Sequence, residues 1–199
     1  SGLYKSTDTN TGDPTYYFRG NIENNYVSFA GFTWRVVRIN EDGTIRIIMQ
    51  DGINNNTNYQ FNSNYNSYIY MYYTNSQAKN ILDSWYQTNI GSKSNLAKNV
   101  ASGNYYCEQA KTKLSDNWGS GSATMTTYTS YMPDFKCSTD GNGKGLVNSN
   151  IGLLSYDELI YSGGYYEKDN TNYYLYNSNI YWWTMSTVGF SDSHSRIWR

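Results

Sequence analysis

The sequence predicts an α+β fold made mostly of antiparallel strands, with two short-to-medium helices and long loops. Strand-like alternation of apolar and polar residues is found in residues 16–49 and again after residue 173, whereas helical spacing is confined to the middle of the chain. Strands, then helices, then strands are typical of α+β domains rather than of βαβ repeats. A length of 199 residues suits one domain with its own core.

Composition excludes several functional classes. Charged residues make up 16% of the chain, aromatic residues 18%, and the net charge is −1. A near-neutral chain without a basic stripe lacks the attraction on which binding to nucleic acid and to anionic membranes depends. Its 23 Tyr, 6 Trp and 6 Phe favour a packed fold over disorder. No apolar stretch approaches the roughly 18 residues of a membrane span, so we expect a soluble chain without a signal peptide.

The first third of the chain predicts strands. Residues 1–15 are polar and are expected to form a surface arm or the end of a linker, followed by a single domain over residues 16–199. Phe32, Trp34 and Val36 fall on one face at a period of two. The turn residues 40–43 predict a hairpin, because they separate two β-rich segments. Strands are therefore predicted at residues 16–19, 26–29, 32–39 and 44–49.

Residues 51–75 form a tract rich in Asn and Tyr. One interpretation is a long surface loop or an edge strand. The other is a ligand surface lined by tyrosines, since Tyr buries area at low entropic cost and keeps a polar tip.

Two helices are predicted in the middle of the chain. Asn75 is a candidate N-cap for a helix that extends to about Thr88. Its apolar face consists of Ala78, Ile81, Leu82 and Trp85. A capping box at residues 155–158, with leucines at the staple positions 154 and 159, predicts a second helix that ends at Gly163-Gly164.

The two cysteines, Cys107 and Cys137, are too far apart for a redox pair, and one His does not complete a zinc site. A disulfide is the favoured interpretation, and two reduced core thiols are the alternative. A disulfide would contribute about 3–4 kcal/mol and would place the chain outside the reducing cytosol. The intervening region, rich in Ser, Thr and Gly, is predicted to be mostly irregular.

The last 30 residues predict strands at residues 173–176 and 180–185, then a polar stretch, then a short terminal segment. On a strand, one of Trp182 and Trp183 would face the core and the other solvent. Alternatively, both are buried under loops. Exposed rings beside small polar residues are typical of a binding surface.

No catalytic residue, cofactor or metal site is predicted. His194 is the single His; Asp192 would share its face of a strand, but no neighbouring Ser would. Asp140 and Asn142 resemble the start of a calcium loop, but Lys144 occupies a ligand position and Ile151 replaces the bidentate Glu. A glycine-rich turn is the alternative there.

Four segments resemble a large group of uncharacterised surface proteins of low-GC gut bacteria, many of which have a prepilin-like or lipoprotein N-terminus. They are residues 17–20, 32–40, 152–158 and 181–186. The likeness spans most of residues 16–199, both cysteines included. The short helix, the strands and the Trp183-Thr184-Met185-Ser186 run also resemble the C-type lectin fold in its formylglycine-generating-enzyme-like branch. That resemblance implies a ligand surface on the C-terminal strands and loops.

The same fold is used by variable proteins of diversity-generating retroelements, in which Asn codons near the C-terminus are mutagenised. The resemblance implies six candidate variable positions: Thr187, Val188, Ser191, Asp192, Ser193 and His194. The Glu-Pro-Asn calcium motif of sugar-binding lectins is absent, and the cysteines lie too early for the oxidase branch.

We therefore expect a non-enzymatic, adhesin-like recognition domain at the cell surface or outside the cell. Its partner would be a protein or glycan on another cell or host surface. The expected ligand face consists of Tyr181, Trp183, Thr187, Val188, Ser191, Asp192, Ser193, His194 and Arg196. The alternatives are a pilus or surface structural subunit and a secreted carbohydrate-active enzyme.

Overall fold

A computed structural model describes residues 1–55, 57–63, 72–103, 105–108, 133–137, 145–164, 170–177, 182–191 and 194–197. Over these residues the chain is mixed α+β: one five-stranded and two two-stranded antiparallel sheets, with short helices. This confirms the predicted class. The chain forms two compact units, one made of residues 1–57, 133–136 and 157–181, the other of residues 58–132, 137–156 and 182–199.

The first unit contains the five-stranded sheet. Its strands are β1 (Gly2–Ser6), β2 (Thr15–Arg19), β3 (Tyr26–Phe29), β4 (Phe32–Ile39) and β5 (Ile45–Met49). Strand β4 is central: β5 pairs along one side, and β3 and β2 follow one another along the other. The predicted hairpin is confirmed as β4–β5, closed by a 2.8 Å hydrogen bond from the Asn40 amide to the Thr44 carbonyl.

The opening segment differs from the expected surface arm, because residues 2–6 form β1 and pair with all of β2. The Tyr4 ring stacks on Tyr17 with 5.9 Å between centroids. Such cross-strand aromatic pairs stabilise antiparallel strands. The polar composition of residues 1–15 favoured a surface arm and gave no indication of this contact.

Helix α3 (Tyr156–Ser162) supplies the first unit with a buried carboxylate. Glu158 is 2% exposed, and its Oε1 lies 3.0 Å from Arg46 Nη1 and 3.5 Å from Arg38 Nε. The helix ends at Gly163, as predicted; its φ of 122° and the Tyr173 Cβ, 2.8 Å from where a Cβ would lie, both favour glycine there.

Arg35, on β4, forms a second buried polar cluster. Its guanidinium donates to the Gln50 side chain at 2.8 Å, and to the Ile22 carbonyl and the Asn25 side chain at 2.7 Å each. It also donates to the Tyr26 hydroxyl at 2.5 Å. These neutral oxygens satisfy a charged group that is only 9% exposed.

The second unit begins with a helical segment. A 3₁₀ turn (Tyr73–Asn75) leads into α1 (Gln77–Tyr86), a π-helical turn (Gln87–Gly91) and α2 (Ser94–Ala97). The prediction of a helix is confirmed, but the N-cap is Ser76 rather than Asn75, because the Ser76 hydroxyl accepts from the Lys79 amide at 3.0 Å. Asn75 belongs to the preceding turn. The predicted apolar face includes the buried residues Ala78, Leu82 and Trp85.

The disulfide Cys107–Cys137 is present, so the predicted pairing is confirmed. Cys107 lies on β6 (Tyr105–Glu108), which pairs with β7 (Gly145–Asn148). Beside it, Glu108 is fully buried and accepts from the Thr74 amide at 2.7 Å. The disulfide and this carboxylate connect β6 to distant parts of its own unit.

Two further expectations concern the membrane and the calcium loop. Among the helices of the described residues, none has the length and hydropathy needed to cross a bilayer. Asp140 and Asn142 lie outside the described residues.

Candidate ligand-recognition site

The C-terminal segment contains strands, but not where the sequence predicts them. Residues 173–176 form a turn, and residues 182–186 lie outside strands. The stretch expected to be a polar loop instead contains β8 (Thr187–Ser191) and β9 (His194–Ile197), an antiparallel hairpin. Thr187, Val188 and Phe190 have high β-propensity, which favours a strand. The sequence interpretation gave more weight to the small polar residues around them and predicted a loop.

The residues that lead into this hairpin are buried in the second unit. Thr184, Met185 and Ser186 are 0%, 1% and 2% exposed. The Met185 amide donates to the Leu154 carbonyl at 2.8 Å, and the Ser186 hydroxyl accepts from the Tyr156 amide at 2.8 Å. We call residues 184–186 the anchor. It fixes the backbone at the point where β8 begins.

Trp183, expected on the ligand face, is half-buried and takes part in the same attachment. Its indole N–H donates to the Tyr59 carbonyl at 3.0 Å, and its ring packs edge-on against Phe61 at 5.8 Å. The Phe61 carbonyl in turn accepts from the Ala78 amide at the start of α1. Trp183 therefore connects the C-terminal segment to the helix.

The expected division between one buried and one exposed tryptophan is not observed. Trp182 and Trp183 are both half-buried. Strand alternation does not apply to them, because residues 182–186 are not in a strand.

The hairpin brings most of the expected ligand residues together along its backbone. Ser191 lies opposite His194, Gly189 opposite Arg196, and Thr187 opposite Ile197. The register shifts between Thr187 and Gly189, which makes Val188 the bulged position. Of the other expected residues, Trp183 belongs to the attachment just described, and Tyr181, Asp192 and Ser193 lie outside the described residues.

Within the described part of the chain, β8 and β9 pair only with each other. Strands inside a larger sheet must keep the register of two neighbours, whereas these have one neighbour each. On this pairing of the described strands, we expect substitutions in the hairpin to disturb fewer neighbouring strands than substitutions in the five-stranded sheet.

The buried charges of the first unit have structural partners. Burial lowers the pKa of Arg38, and the Glu158 carboxylate acts in the opposite direction. Burial also raises the pKa of Tyr174, whose hydroxyl lies 3.0 Å from the Ser162 hydroxyl.

Among the described residues, no group of three or more His, Cys, Asp or Glu side chains is placed to hold a metal ion.

Comparison of the chain with protein-family models, curated proteins and solved structures found no match.

Proposed function

We propose that this chain is a non-enzymatic recognition domain that presents its ligand-contacting residues on the β8–β9 hairpin. One observation carries the proposal: the buried anchor is followed directly by the β8–β9 hairpin, and within the described residues this hairpin pairs with no further strand. Binding residues are commonly held on variable segments that a rigid scaffold positions. The bulge at Val188 supports the same role, because bulges redirect side chains near functional sites.

The architecture that we propose is C-type lectin-like. The mixed α+β class, the α1 helix and a C-terminal hairpin attached to the scaffold support it. We further propose that Thr187, Val188, Ser191, Asp192, Ser193 and His194 are variable positions, as in retroelement variable proteins. Neighbouring DNA that encodes a reverse transcriptase and a near-copy of the 3′ end of the gene would support this extension.

The proposed location is the cell surface or the extracellular space. The disulfide Cys107–Cys137 supports it, since disulfides persist in oxidising compartments. The proposed partner is a protein or glycan on another cell or host surface, where a hairpin that combines Ser, His and Arg offers both hydrogen-bond donors and acceptors.

A binding comparison tests this function. The purified domain would be applied to a glycan array and to intact intestinal epithelial cells, beside the double variant His194→Ala, Arg196→Ala and the control Lys98→Ala, which changes an exposed cation on the helical segment. We expect the double variant to lose binding while unfolding at the same temperature as the control. Equal binding by both variants would contradict the proposal, as would absence of binding by the unmodified domain.

A structural subunit of a pilus or cell surface is the second candidate. It is favoured by β1, an edge strand on which Leu3 and Tyr4 are 52% and 43% exposed. Exposed edges are templates for pairing with another chain. Sedimentation of the purified domain separates the two functions, because a subunit would form concentration-dependent oligomers that Leu3→Lys abolishes, whereas a recognition domain would remain monomeric.

A further inference from the structure

The second unit contains an open cleft of about 320 Å³ that uses none of the hairpin residues. One wall is formed by Lys79, Asp83, Tyr86 and Gln87, from α1 and the turn after it, and the other by residues 148–150, at the end of β7. Its volume lies at the lower end of the range for small-molecule sites, which is about 300–1,000 Å³.

The helical wall of the cleft has an unusual backbone. The regular helix stops at Tyr86, and the amide of Ser92 reaches back five residues to the Gln87 carbonyl at 3.1 Å. Such π-helical turns are rare and are frequently found at functional sites. This one begins at Gln87, the last helical residue of the wall.

Gly91 allows close packing behind this wall. A Cβ on Gly91 would lie 2.7 Å from the Gln87 side-chain oxygen and 2.8 Å from the Tyr86 ring. A larger residue at position 91 would therefore displace the Tyr86 ring, whereas the end of the flexible Gln87 side chain could move aside. Tyr86 is 7% exposed, so this part of the wall is held in place by its surroundings.

The charges in the cleft compensate each other. The Lys79 ammonium pairs with the Asp83 carboxylate one helical turn away. The other polar groups of the lining are neutral: the side chains of Gln87, Asn148, Ser149 and Asn150. The Ser149 hydroxyl donates to the Ile151 carbonyl at 2.7 Å, which leaves its oxygen available as an acceptor.

We propose that this cleft binds an uncharged carbohydrate through the amide side chains of Gln87, Asn148 and Asn150. An amide supplies both donors and an acceptor, which matches a hydroxyl group that also does both. A charged ligand would gain little, because the ion pair leaves no excess charge. The site is independent of the proposed role of the hairpin.

A chemical-shift titration tests the proposal. The ¹⁵N-labelled domain would be titrated with the methyl glycosides of glucose, galactose, mannose and N-acetylglucosamine at millimolar concentrations. We expect at least one sugar to shift the amide signals of residues 87–91 and 148–150. Asn150→Ala should weaken that binding about tenfold, as expected from the loss of one well-placed hydrogen bond. Asn99→Ala is the matched control, because Asn99 is an exposed Asn that follows α2 and does not line the cleft. This variant should bind the sugar as the unmodified domain does.

Three results would overturn the proposal. The first is that none of the four glycosides shifts these amides. The second is equal affinity of Asn150→Ala and Asn99→Ala. The third is sugar-induced shifts restricted to residues 187–197, which would contradict the cleft while supporting recognition by the hairpin. Gln87→Ala serves as a second variant at an exposed position, and it should also weaken binding of the sugar; unchanged affinity would count against the cleft.

Discussion

The β3–β4 and β8–β9 hairpins have connections of equal length but different surroundings. Each joins its strands through two residues, 30–31 in the first and 192–193 in the second. In the first, β4 is also paired with β5 and β2, and it carries the buried Arg35. In the second, the described strands pair only with each other and are held through the anchor that precedes them.

The two hairpins should therefore differ in how well they tolerate substitutions. A substitution in β4 affects its pairing with three neighbouring strands and the buried hydrogen bonds of Arg35. A substitution in the connection of β8–β9 alters one pair of strands. Stability should therefore depend on the sheet, the disulfide and the anchor, and very little on residues 192–193.

The largest effect is expected from Glu158→Ala in the unit that holds the first hairpin. Removing this carboxylate leaves the Arg38 and Arg46 guanidinia without their buried partner. Loss of one member of a buried ion pair costs about 3–5 kcal/mol. Chemical denaturation measures the free energy of unfolding.

Asp8→Ala is the matched control, since it breaks the exposed pair with Lys136, in which the two side chains are 48% and 51% exposed. We expect a much smaller loss there, because solvent screens an exposed ion pair. Equal losses in the two variants would mean that the buried cluster does not support the sheet.

A second large effect is expected when the disulfide of the other unit is removed. The double variant Cys107→Ser, Cys137→Ser opens a link between residues 30 apart in sequence. Loop entropy predicts a loss of about 3–4 kcal/mol. Thermal unfolding with and without reductant measures it, and a reduced protein that unfolds at the oxidised temperature would show that the link contributes nothing.

Ser186→Ala should have a smaller effect, by weakening the anchor of the second hairpin. The variant leaves the buried Tyr156 amide without the hydroxyl that accepts from it at 2.8 Å. Removal of one buried hydrogen bond costs about 0.5–1.5 kcal/mol. Ser84→Ala, on an exposed position of α1, is the control and should be neutral or slightly stabilising because Ala favours helix. Indistinguishable variants would remove the evidence for an anchor.

Ala30→Gly should stabilise the first hairpin slightly. Ala30 has a φ of 56° and Gly31 a φ of 83°, so both connecting residues occupy the left-handed region that Ala disfavours. We expect a gain of up to about 1 kcal/mol, reduced by the extra freedom of Gly in the unfolded chain. A decrease in the denaturation midpoint would contradict this account of the turn.

The sequence predicts the parts of the fold that depend on local signals. The β4–β5 turn, the α1 face and the end of α3 at Gly163 follow from neighbouring residues. The sequence did not predict β1, because its pairing with β2 depends on Tyr4 contacting Tyr17. Nor did it predict the roles of Trp183 and Ser186, which contact Tyr59 and Tyr156, far away in sequence.

The sequence did not predict the cleft for a related reason. A π-helical turn has no clear sequence signature, and Gln87 and Asn150, which line the same cleft, are far apart in sequence. The triplet Asn148-Ser149-Asn150, at the end of β7, was the available signal.

We expect the scaffold to fold independently of the residues that the second hairpin carries. The free energy of unfolding tests this, measured for variants in which Asp192 and Ser193 are replaced together by varied residues, such as Asn-Gly, Thr-Lys and Tyr-Ser. We expect every variant to remain within about 0.5 kcal/mol of the unmodified domain, the usual limit for substitutions that disturb no buried contact, because the anchor and the β8–β9 pairing are left unchanged. Losses comparable to that of Ser186→Ala would contradict the claim.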